Sequence, residues 1–178
     1  MGAGAAPQWG RMTTCAQCGF TYGALARPAL PATMRADGRA VARRVEAASD
    51  DLGARRLPEE WSPLEYACHV RDVLLMQRDR LYVALVEDEP SFKPMYREER
   101  VAFDRYSVQS PTAVADQIVM GADLLAHAFD GLREDQWARP LIYNFPGPAR
   151  RDVEWVAHHT VHEMIHHLAD IDRILGSQ

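Results

Sequence analysis

Lysine is almost missing from this chain: Lys93 stands alone against nineteen arginines. That skew is what a GC-rich bacterial genome writes, and it carries no chemistry. No basic block or stripe stands out, and the net charge is -5 with a pI near 5.8. The counterion-displacing surface of a nucleic-acid binder is therefore absent. The Arg-rich stretch "ADGRAVARRVEAASDDLGARR" interleaves acids with its bases, as a solvated helix face does. No apolar run reaches the roughly 20 residues of a membrane span, and the start of the chain has no apolar signal-peptide core, so no membrane partner and a cytoplasmic location are expected. Cysteine is limited to Cys15, Cys18 and Cys68, which is no disulfide framework. Sustained strand alternation and internal repeats are missing as well.

What the sequence does contain is helical periodicity. At 178 residues the chain is long enough for one ordinary domain. A first helix is expected from about Ala32 to Ser49, with Met34, Val41 and Val45 at helical spacing. In "WSPLEYACHV" Ser62 is a good N-cap, Pro63 suits the first turn and Glu65 completes a capping box, opening a second helix that runs to about Glu87. Ser110, Pro111 and Thr112 start a third, which Gly131 stops. A fourth begins near Arg151 or Asp152 and ends at Leu175, before Gly176. An all-α four-helix bundle (residues 30–178) follows, preceded by an N-terminal arm (residues 1–29). The connection between the second and third helices is long enough to cross the bundle and let those two run parallel. It and the segment before the fourth helix carry Phe92, Met95, Tyr96, Tyr143 and Phe145, candidates to line a pocket or to cover the core ends.

Five of the seven histidines crowd the last helix, where "HEMIHH" contains HExxH. Residues four apart share a helix face, so His162 and His166 can hold one metal, with Glu163 beside them as a candidate catalytic base or a surface residue. A peptidase would need a third ligand downstream. Asp172 is at the right distance, but Ala169 occupies the place of the glycine that breaks the helix, and alanine continues it. His69 on the second helix supplies the missing nitrogen for an open three-histidine site across the bundle core. Geometry alone leaves the pair His158/His162 open beside His162/His166. His159 and His167 are expected to point further from the core side, which is drawn through Val161, Met164, Ile165, Leu168 and Ile171. His127 reads as structural. Asp72 and Asp170 are candidate partners that orient imidazoles.

"WSPLEYACHVRDV" followed some ninety residues later by "HEMIHHLADI" resembles the DinB/YfiT-like four-helix metalloproteins. The resemblance covers roughly residues 30 to 178. It implies an up-down-down-up bundle holding a divalent metal, often zinc, nickel or iron, through histidines that match His69, His162 and His166. Characterised members of that family include bacillithiol and mycothiol transferases, mycothiol-dependent maleylpyruvate isomerases and the histidine-ligand domain of ergothioneine-forming sulfoxide synthases. The implied activity is therefore a metal-dependent reaction on a small-molecule substrate, with a low-molecular-weight thiol as co-reactant. A hydrolase, or a non-catalytic metal-binding or redox-sensing bundle, is the alternative.

The arm departs from the minimal bundle. "CAQCGFTY" reads as half of a zinc knuckle, with Gly19 letting the backbone turn so that Cys15 and Cys18 face one ion. No second CxxC exists, so three readings stand: ligands borrowed from the bundle, pairing across a homodimer, or a redox dithiol or disordered remnant. Cys68 reads as a small buried packing residue.

Overall fold

The computed structural model describes residues 13–48 and 51–176; the first twelve residues of the arm and Ser49 lie outside the described residues. In chain order the helices are α1 (Leu30–Glu46), α2 (Pro63–Val86), the short α3 (Arg97–Phe103), α4 (Pro111–Asp130), the one-turn α5 (Glu134–Trp137) and α6 (Val153–Gly176). The strands are β1 (Ser91–Phe92), β2 (Pro140–Asn144) and β3 (Pro148–Asp152).

The long helices begin where local chemistry dictates. Ser62 Oγ accepts from the Glu65 backbone N–H and Glu65 Oε2 accepts from the Ser62 N–H, closing the capping box of α2. Arg55 then forks onto both oxygens of Glu65 at 2.7 and 3.0 Å, so this carboxylate is committed to the cap. Ser110 caps α4, and Asp152 caps α6 by accepting from Trp155 N at 2.8 Å.

The four long helices form the bundle in up-down-down-up order. α1 packs on α4 and α6, and α2 packs on the same two helices. α1 and α4 approach so closely that a Cβ on Gly38 would stand 2.6 Å from that of Ala122. Met34, Leu74, Ile118, Leu125, Met164 and Ile171 are fully buried between the helices, each removal from water contributing about 1.5–3 kcal/mol. The parallel run of α2 and α4 is made by the crossover, which carries β1, α3 and a 3-10 turn at Tyr106–Val108.

Beside the helices stands a small sheet that the sequence periodicity did not place. β1, β2 and β3 make a small sheet in that order, β1 parallel to β2 and β2 antiparallel to β3. Inward Leu141 and Tyr143 alternate with half-buried Pro140, Ile142 and Asn144, a pattern of five residues that is too short to register as a sustained period. The sheet brings Tyr143 and Asn144 to the end of the bundle where the polar residues of α2 and α6 collect. Among the described residues, no helix is long and apolar enough to cross a membrane.

Candidate metal centre

The rotation of α6 decides which histidines meet. Its buried positions Thr160, Met164, His167, Ile171 and Ile174 follow alternating spacings of four and three, the core line of an amphipathic helix. His167 lies on that line, while Ile165 and Leu168 are only partly buried. The core side drawn from the sequence is therefore rotated from the real one, because it was weighted by the aliphatic residues and left out Thr160 and His167. Two stripes of ligating residues follow, about 100° apart: His159, Glu163 and His167 toward α2, and His158, His162 and His166 further round.

His69, Glu163 and His167 converge. Glu163 Oε2 stands 3.5 Å from His69 Nε2 and 3.5 Å from His167 Nε2, and the three ligand atoms all lie within 4.8 Å of one another. These separations exceed a normal hydrogen bond and match donors arranged around an ion. His167 Nδ1 is held by Asp170 Oδ2 at 3.0 Å, which leaves Nε2 directed at the cluster. His69 Nδ1 is buried without a hydrogen-bond partner. Burial disfavours an imidazolium at His167, but Asp170 and Glu163 outweigh it and raise the pKa to about 9. Burial likewise disfavours ionisation of Glu163, yet its contacts with His162, His167 and His69 hold it well below the usual carboxylate range. The space between these groups thus favours positive charge, and the donor set fits a divalent metal.

This triad opens into a cavity of about 120 Å³. Of the crossover and loop aromatics and Met95, the residues Met95, Tyr96, Tyr143 and Phe145 line it and Phe92 does not; Phe92 is buried near the Arg80 guanidinium. Gln77 and Arg80, one turn apart on α2, also line it and were not anticipated. The signal was available, since His69, Val73, Gln77 and Arg80 form one i, i+4, i+8, i+11 stripe. Arg80 is buried, donating to Tyr143 Oη at 2.8 Å and the Lys93 carbonyl at 2.6 Å, and among the described residues no carboxylate pairs with it. Glu163 is the one acid among the described lining residues. His159 also faces the cavity; burial lowers its pKa to about 4 against the pull of Glu163, and its Nδ1 lies 2.8 Å from Tyr22 Oη.

The three-histidine set is divided. Among the described residues no candidate group joins His69 to both His162 and His166; these two lie instead with Cys15 and Cys18 of the arm. His158 enters no such group and is buried with neither ring nitrogen hydrogen-bonded. His159 and His167, expected to point away, are buried, and Glu163 is largely enclosed rather than a surface residue. Of the two orienting acids, Asp170 serves an imidazole and Asp72 does not. Asp72 is taken up by Arg71 at 2.8 Å, Arg100 at 2.9 Å and the Tyr106 hydroxyl at 2.5 Å, because it sits on the side of α2 that faces the crossover. Cys68 is fully buried, and burial pushes its thiol up to about 12. His127 is exposed.

The sequence model of the DinB superfamily matches residues 33–171. Among solved structures, YfiT from Bacillus subtilis, described as a probable metal-dependent hydrolase with an unusual four-helix bundle topology, matches with TM-score 0.72 at 14% identity, covering 88% of this chain and 93% of that one. The mycothiol-dependent maleylpyruvate isomerase matches with TM-score 0.68 at 20% identity, covering 90% of this chain and 63% of that one. A histidine-to-alanine mutant of the same enzyme matches at 19% identity with the same coverage. No curated protein matches the chain. At these identities the structural matches establish the fold.

Proposed function

The chain belongs to the DinB superfamily, and on that footing we propose that it is a metal-dependent enzyme that directs a low-molecular-weight thiol at a small anionic electrophile. The observation that carries this reading is the convergence of His69, Glu163 and His167 at the base of a cavity that Arg80 also lines. A divalent ion held by those three donors supplies the positive charge that keeps a nearby thiol ionised near neutral pH. The donors number three, so coordination positions remain for ligands from the cavity.

The protein's own residues account for the rest of the site. Asp170 fixes the His167 ring so that Nε2 points inward. Arg80, with Gln77 and Tyr143 holding its guanidinium, presents a buried cation to an anionic group of the substrate. Met76, Met95 and Phe145 give the substrate body an apolar wall. A thiol is favoured over water as the attacking group because Glu163 is the only acid among the described residues that line the cavity. With Glu163 engaged as a metal ligand, no carboxylate among the described lining residues would be left to serve as general base for water.

The test loads the purified full chain with zinc, nickel or iron(II) and incubates it with a panel of low-molecular-weight thiols and carboxylate-bearing electrophiles. The expected result is thiol consumption that depends on the metal and is lost in His69→Ala. Hydrolysis of ester or amide substrates without thiol consumption would replace this reading with a hydrolase. No acceleration of either reaction would leave a metal-binding protein without catalysis.

A further inference from the structure

The stripe of α6 that carries His162 and His166 lies about 100° round from the one that meets His69. Here it is covered by the arm. The described arm is a tight loop: Cys15 N–H donates to Phe20 O at 2.8 Å, Gly19 N–H to Cys15 O at 2.9 Å and Tyr22 N–H to Thr13 O at 3.1 Å. Gly19 has φ of 74°, a conformation open to glycine at little cost, and it turns the chain so that both cysteines face α6. Phe20 and Tyr22 lie against the His162 ring, with centroids 5.6 and 5.4 Å away.

At the centre of this contact, one ligand atom from each of Cys15, Cys18, His162 and His166 lies within 4.8 Å of all the others. Cys15 Sγ is 3.5 Å from His166 Nδ1. Among the described residues neither ring nitrogen of His162 has a hydrogen-bond partner although both are buried, Glu163 Oε1 standing 3.5 Å from Nδ1. Two thiols at CxxC spacing and two imidazoles at HxxxH spacing, brought together from opposite ends of the chain, are the donor set and number of a closed tetrahedral zinc site.

We infer that Cys15, Cys18, His162 and His166 bind a zinc ion in a closed four-ligand site that clamps the N-terminal arm onto α6, separate from the open site at the cavity. Binding releases the two thiol protons to solvent and changes no oxidation state. With all four positions taken by protein, this ion binds no substrate. Its effect on the cavity is structural: the clamped arm carries Tyr22, whose hydroxyl meets His159 Nδ1 at 2.8 Å, and His159 lines the cavity. His162 itself touches Glu163, so the two sites share a wall. The inference does not depend on the catalytic reading.

The experiment uses the full chain purified with zinc. Zinc content of about two equivalents is expected, falling to about one in Cys15→Ser/Cys18→Ser and to about one in His69→Ala, each by loss of a different site. X-ray absorption of His69→Ala, with the cavity site removed, should show two sulfur ligands near 2.3 Å and two nitrogen ligands. On the unmodified protein, which needs no variant to fold, Cys15 and Cys18 should resist alkylation until a chelator is added, and cobalt substitution should give an intense thiolate-to-cobalt band. Zinc without sulfur in its shell, or alkylation of both thiols in the zinc-loaded protein, would overturn the site. So would a Cys15–Cys18 disulfide in protein that keeps its full zinc content. Failure of the thiol-transfer assay alongside a two-sulfur zinc signal would remove the catalytic reading and leave this one standing.

Discussion

His69 Nε2 on α2 stands 3.5 Å from Glu163 Oε2 on α6, and the same oxygen is 3.5 Å from His167 Nε2. One carboxylate oxygen thus joins two imidazoles from facing helices, where the resemblance implied three imidazoles. Glu163→Ala is expected to lower divalent-metal affinity at the cavity by more than about 100-fold, beyond the range seen for orienting residues. Glu163→His should restore much of it, since the replacement offers a nitrogen from the same helical position. Calorimetric metal titration distinguishes them, and unchanged affinity in Glu163→Ala would remove this residue from the site.

Asp170 acts through His167 rather than on the metal. Asp170→Asn is expected to weaken metal binding by about 10–100-fold while the circular dichroism and melting profile stay close to the parent's. A collapse of helicity instead would mean that its contacts with Gln17 and Arg173 chiefly hold the helix end together.

Arg80 lines the cavity with neutral hydrogen-bond partners and two aromatic rings near its guanidinium, 5.7 Å from Phe92 and 4.9 Å from Tyr143. Arg80→Met keeps the packing and removes the charge. Metal content should be unchanged, and KM for an anionic electrophile should rise by about 10-fold or more, the loss of one charge-assisted hydrogen bond of roughly 1.5–3 kcal/mol. Equal KM values for charged and neutral substrates in both proteins would sink the anionic assignment.

Asp72 is a stability element. Burial opposes its ionisation, but the Tyr106 hydroxyl, Arg71 and Arg100 outweigh burial and lower its pKa. For a carboxylate with a depressed folded pKa, the stabilisation is full above the unfolded pKa near 3.9 and is lost as the pH falls below it. Asp72→Asn or Asp72→Ala is expected to cost about 3 kcal/mol at neutral pH, as the loss of one partner from a buried ion network does. The cost should shrink under acid, which urea denaturation at a series of pH values measures.

Asp37 gives the opposite sign. Burial alone raises its pKa to about 6, and its Oδ2 is buried without a hydrogen-bond partner. Between those two pKa values the folded state holds a proton that the unfolded state releases, and stability contributed at this position rises as the pH falls through about 6 toward the unfolded value near 3.9. Asp37→Asn should stabilise the protein at neutral pH by about 1 kcal/mol, after allowing for the side chain's partial exposure. It should also flatten the pH dependence of the melting temperature. A lower melting temperature at pH 7 in the variant would count against it.

Much of the bundle was legible because its signals are local. Ser62 and Pro63, Ser110 and Pro111, and Gly131 place helix ends by hydrogen-bond geometry that involves only neighbours in sequence. The sheet was not legible, because β2 alternates over five residues and its partners β1 and β3 are polar or very short. That His69 would meet the last helix followed from its place on α2.

Sequence by itself determined the four helices, the long crossover and the residue types able to bind a metal, since capping, periodicity and donor chemistry are properties of short stretches. Tertiary structure decided the allocation of those donors. Neighbouring residues on α6 are about 100° apart, so a modest rotation set by packing against α1 and α2 turns Glu163 and His167 to His69. The same rotation leaves His162 and His166 to an arm that the chain brings back from its other end.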